Sequence, residues 1–89
     1  DQIYVRDACD ALVAALRSRA TGVVNAGGGR AARLDDIARA AAATWGRPPP
    51  AVTGQEAPAP DTTLDLTRAR ERLGWAPRWD LEAGMADFR

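Results

Sequence analysis

The sequence predicts an α/β chain in which short strands alternate with about four helices. Three observations point there. β-branched and aromatic triplets stand at Ile3-Tyr4-Val5 and Val23-Val24-Asn25, apolar residues recur at helical spacing after each, and glycine or proline punctuates the junctions. At 89 residues the chain is one domain, residues 1–89, and a domain of this size buries a limited share of its surface.

Ile3-Tyr4-Val5 reads as a strand. From Asp7 onward Ala8, Cys9, Leu12, Val13, Ala15 and Leu16 take helical spacing, which predicts a helix from residue 7 to residue 18. Asp7 stands where an N-cap carboxylate would accept from the free first-turn amides, and Arg17 and Arg19 suit the negative end of the dipole. After Thr21-Gly22, Val23-Val24-Asn25 is a second extended run, and Gly27-Gly28-Gly29 must turn the backbone. Leu34, Ile37, Ala38, Ala41 and Trp45 then form one apolar stripe on a second helix, with Asp35 and Asp36 in its first turn. Gly46 and Pro48-Pro49-Pro50 close it. Residues 46–63 hold five of the six prolines and read as a loop wrapped over a surface. Asp65 or Thr67 caps a two-turn helix that stops at Gly74, and Asp80 caps a last helix from Leu81 to Phe88.

Composition closes most chemistries. Twelve basic residues balance twelve acidic ones, so the electrostatic footprint of a nucleic-acid or anionic-membrane binder is missing. Every basic residue is arginine. The lack of lysine and histidine excludes lysine proton transfer, Schiff-base chemistry, imidazole catalysis and histidine metal ligation within this chain. Cys9, the single cysteine, has no disulfide partner and no companion for a zinc site, so it is expected as buried filler on the first helix. No apolar run has bilayer length, and a reducing cytoplasm is the expected compartment. The chain opens on Asp1 rather than Met and runs straight into an apolar triplet, from which an N-terminal truncation is expected.

Four pieces in order carry a family resemblance: Asp1-Gln2-Ile3-Tyr4-Val5-Arg6-Asp7, Val23-Val24-Asn25-Ala26-Gly27-Gly28-Gly29, Asp65-Leu66-Thr67-Arg68-Ala69-Arg70 leading to Leu73-Gly74-Trp75-Ala76-Pro77, and Leu81-Glu82-Ala83-Gly84-Met85. Together they resemble the C-terminal part of extended short-chain dehydrogenase/reductases, the NAD-dependent sugar-nucleotide epimerases and dehydratases. The resemblance implies a two-lobed Rossmann-type parent of which this chain is the C-terminal substrate lobe, the Rossmann core being absent. NAD in such a parent is bound by the missing N-terminal domain, which also carries a Tyr-x-x-x-Lys catalytic pair. Tyr4 is followed four places on by Ala8, so no catalytic residue, cofactor-binding residue or metal ligand is assigned here. The implied partners are that Rossmann domain and a UDP-, dTDP- or GDP-sugar, with UDP-glucose 4-epimerase as the default activity and a homodimeric parent as one further implication.

Gly27-Gly28-Gly29 lacks the G-x-G-x-x-G spread of a dinucleotide loop and reads as a tight structural turn. The resemblance makes Asn25 the leading substrate-binding residue, the alternative being a turn asparagine that satisfies local backbone. Asp61 is the second candidate, for a ribose or sugar hydroxyl, although Ala57-Pro58-Ala59-Pro60-Asp61 matches the family's Arg-x-Gly-Asp-like stretch only at Asp61. Trp45, Trp75 and Trp79 are expected to anchor helix ends and the C-terminal loop, and Arg68, Arg70, Arg72 and Arg78 to form a solvated face. Leu12, Leu16 and Trp45 are expected to expose apolar faces toward the missing lobe. The competing reading is a noncatalytic small α/β module whose proline loop contacts a partner protein.

Overall fold

A computed structural model describes residues 1–51 and 63–89. Its elements are α1 (Val5–Arg17), α2 (Leu34–Thr44), a π-helical turn (Ala69–Leu73) and α3 (Leu81–Phe88). No strand occurs among the described residues, which corrects the α/β expectation to an all-helical one. The reason lies in pairing. A strand is stable only when its amides and carbonyls enter a ladder, and three-residue runs with no neighbouring strand have none to enter. Val23-Val24-Asn25 therefore stays outside regular structure, while Val5 joins the first helix. The greater part of the proline-rich loop 46–63 lies outside the described residues.

α1 begins two residues earlier than its pattern indicates, after an extended Tyr4 at φ −77° and ψ 144°. Asp7 is consequently not a cap. It sits in the first turn and is the most deeply buried charged residue among those described, at 1% exposure. The helix turns Asp7, Ala11 and Ala14 inward, at i, i+4 and i+7, so its conventional polarity is reversed. Val5, Cys9, Leu12 and Leu16 lie on the opposite side at spacings of four, three and four, and all are exposed, Leu12 at 67% and Leu16 at 86%. Cys9 is thus not the buried filler its apolar neighbours suggested, because that apolar stripe itself faces outward.

α2 matches its predicted span to within one residue. Asp36 Oδ2 accepts the Arg33 N–H at 3.2 Å at its start, and Gly46 at φ 63° turns the chain away at its end. α3 begins at Asp80, whose side chain accepts the Ala83 N–H at 2.7 Å, as expected. Before the π turn, Asp65 Oδ1 accepts both the Thr67 N–H at 2.9 Å and the Thr67 hydroxyl at 2.6 Å. These bonds to Thr67 hold the Asp65 carboxyl below its usual range. Gly74 at φ 64° ends the turn, the stop predicted for it.

The described core consists of Ala11, Leu66, Ala69 and Trp75, with Ile3, Ala14, Val24 and Leu73 packed against it. It joins the inner side of α1 to the π turn. α2 and α3 pair separately, and neither buries an apolar side chain completely. The result is flat, 47 × 31 × 13 Å, with a radius of gyration of 15.5 Å where a compact chain of this length has about 12 Å. No helix among the described residues is long and apolar enough to cross a membrane.

Candidate functional site

Distant parts of the chain converge on its first seven residues. Asp1 Oδ1 accepts the Gly28 N–H at 2.7 Å and Oδ2 accepts the Leu64 N–H at 3.0 Å. The glycine turn and the approach to the π turn are thereby fastened to the N-terminus. No side chain fits there: a Cβ on Gly28 would stand 1.8 Å from the Gln2 carbonyl oxygen, and one on Gly27 would stand 2.7 Å from Asp1 Oδ2. Gly29 adds a left-handed φ of 77°. The triplet is a close-packed turn. Its Gly28 amide, which a phosphate would need, is already donated to Asp1, so these residues do not fit a dinucleotide phosphate.

Asp7 makes a second long-range bond set. Its two carboxylate oxygens accept the Arg78 N–H at 3.0 and 3.1 Å, and Oδ2 also accepts the Trp79 N–H at 3.0 Å. A buried carboxylate held by backbone amides is a fixed support, and here it seats the segment that leads into α3. Arg78 then reaches outward to Asp10 at 3.2 Å.

The third cluster joins α1 to the last helix. Asp87 Oδ2 accepts Arg6 Nε at 2.7 Å and also accepts the Tyr4 hydroxyl. The Tyr4 ring lies 5.1 Å from Trp79, and the Arg6 guanidinium stands 5.9 Å over the same indole. Donation from Tyr4, then Arg6, holds the Asp87 carboxyl below its usual range. The bond to Asp87 in turn raises the Tyr4 phenol.

Between the N-terminal segment, α2 and α3 runs an open groove of about 1210 Å³. Ile3, Tyr4, Trp45, Trp79, Met85 and Phe88 are among its lining residues, and Arg30 and Asp36 bring charge to it. Such a surface can hold a flat or apolar group. It offers no nucleophile paired with a base. Among the described residues no group of three His, Cys, Asp or Glu side chains could hold a metal ion.

Asn25 is exposed in the linker between α1 and the glycine turn and is not part of the groove lining. Asp61 lies outside the described residues. The tryptophans divide: Trp75 is buried, its indole N–H lacking an acceptor among the described residues, Trp79 is half-buried, and Trp45 is 42% exposed with its ring edge-on to Phe88 at 6.4 Å. Sequence reasoning missed Asp1, Asp7 and Asp87 as fastening residues. Their partners lie 27 to 83 positions away, and no local spacing signals such a pairing.

Over its whole length the chain is similar to a dTDP-L-rhamnose 4-epimerase of Burkholderia thailandensis, with 33% identity across 93 aligned positions. That alignment takes in 26% of the epimerase, so the chain spans about a quarter of the length of the curated relative it matches. No family model and no solved structure matches the chain.

Proposed function

We propose that this chain is the nucleotide-sugar-binding lobe at the C-terminal end of an NAD-dependent epimerase/dehydratase, and that it does no chemistry alone. The observation that carries the reading is the match to a named sugar-nucleotide epimerase along the chain's entire length, although it takes in only a quarter of that enzyme. The chemistry agrees. Without lysine the chain holds no Tyr-x-x-x-Lys pair, which supports assigning the catalytic groups and NAD to another part of the parent.

The fold supports a lobe rather than a free-standing domain. A core of four buried residues among those described, beside an outward stripe of Val5, Cys9, Leu12 and Leu16, leaves apolar surface that isolated domains ordinarily cover. The Rossmann part of the parent is the partner for that stripe. The relative acts, by its name, on a dTDP-sugar, which puts dTDP ahead of UDP and GDP as the nucleotide to be held. Asn25, exposed beside the glycine turn, and Asp61 are the residues assigned to it.

Isothermal titration of the 89-residue chain with dTDP, UDP and GDP tests this, after circular dichroism has established its helices. Saturable binding that favours dTDP and weakens about tenfold in Asn25→Ala supports the reading. A folded chain that binds none of the three removes Asn25 from the site and leaves nucleotide affinity to the rest of the parent.

A further inference from the structure

α3 is attached to the rest of the molecule in an uneven way. Its base is seated by the buried Asp7 carboxylate, which receives the Arg78 and Trp79 amides at 3.0 to 3.1 Å. Its middle rests on Tyr4, with Gly84 so close to the ring that a Cβ would stand 2.9 Å from Cδ2. Its far end is held only at the surface, where Asp87 receives Tyr4 and Arg6 and where Phe88, 71% exposed, meets the edge of Trp45. Only Gly84 of this helix is buried, and its apolar hold is limited to the half-buried Leu81 and Met85 and to Phe88 against Trp45 of α2. Leu81, Met85 and Phe88 of the same helix line the groove.

We infer that α3 is a hinged wall of the groove, pivoting at the Asp7-held Arg78–Trp79 segment and caught at its free end by Asp87 against Tyr4 and Arg6. Opening the catch widens the groove without disturbing the Ala11, Leu66, Ala69 and Trp75 core, since no residue of that core lies on α3. At eight residues α3 is short enough to swing as a unit on that pivot, its first turn still capped by Asp80. The device admits an apolar or aromatic group to a surface that α3 otherwise narrows, and it does not depend on which nucleotide the parent binds.

Met85, the single methionine of the chain, lines the groove from α3 and reports on opening directly. Its oxidation by hydrogen peroxide, followed by mass spectrometry in the full chain, is compared with amide exchange in α1. Asp87→Asn is expected to raise the Met85 oxidation rate about two- to fivefold, the range that loss of one exposed charged contact allows. Tyr4→Phe, which removes one donor and keeps the ring under Gly84, is expected to raise it by less. α1 exchange stays unchanged in both. The hinge is refuted if Met85 oxidises at the wild-type rate in both variants, or if α1 exchange accelerates in step with it, since α3 would then open only with the whole chain.

Discussion

At the scale of single residues, three aspartates do work that their local sequence does not announce. Asp7 fits an N-cap by position, yet it faces inward to hold amides 71 and 72 positions away. Asp7→Ala would leave the part-buried Arg78 and Trp79 N–H groups without this acceptor, at a cost of about 1–3 kcal/mol in urea unfolding. Asp10→Ala, whose partner Arg78 is exposed, should shift the same midpoint far less. The glycines separate in the same manner. Gly22, at φ 87° with open space around it, should tolerate alanine at about 1 kcal/mol, the strain of a left-handed residue. Gly28→Ala meets the Gln2 carbonyl oxygen and should cost more, with loss of the Asp1 bond visible as faster exchange of the residue 28 amide.

At the scale of elements, what was legible had local causes. α2, the Asp80 cap and the Gly74 stop follow from stripe, cap and left-handed glycine, all encoded within a few residues. The two strands failed because pairing is non-local: Val23-Val24-Asn25 has strand composition and no ladder among the described residues. The face of α1 failed for a related reason. Periodicity finds Cys9, Leu12 and Leu16 of this stripe, but whether it turns inward depends on what covers it. Of the proposed substrate residues, Asn25 follows from the resemblance and stands exposed, while Asp61 lies outside the described residues.

The catch on α3 has a pH dependence with a definite sign. Asp87 titrates below its ordinary 3.8 when folded, so its contribution is present above that value and is lost as pH falls through the lowered one. Tyr4 titrates above its ordinary 10.0, so its share is present below 10.0 and is lost as pH rises through the raised value. Ellipticity and Met85 oxidation should therefore be flat from about pH 5 to 9, with changes in α3 confined to the two extremes. Asp87→Asn should remove the share of the acid limb that Met85 oxidation reports, while Asp65, also held below its usual range, keeps its own share of the loss in ellipticity.

At the scale of the whole molecule, the described residues form a flat body with a small core, and the lobe reading proposed above predicts how its outward stripe responds to charge. Leu12→Glu with Leu16→Glu places charge on an outward stripe and should alter chain stability by no more than about 0.5 kcal/mol. Ala69→Leu, at a position with no exposure, should by contrast cost about 1–3 kcal/mol by overpacking.

Replacement of the aligned quarter of the Burkholderia thailandensis dTDP-L-rhamnose 4-epimerase by this chain, with dTDP-sugar epimerisation followed by NMR, puts the substrate-lobe reading to its most direct trial. The chimera is expected to fold cooperatively and to retain measurable epimerisation, with Leu12→Glu and Leu16→Glu abolishing both. A chimera that folds cooperatively yet neither binds nor converts the dTDP-sugar would contradict the reading.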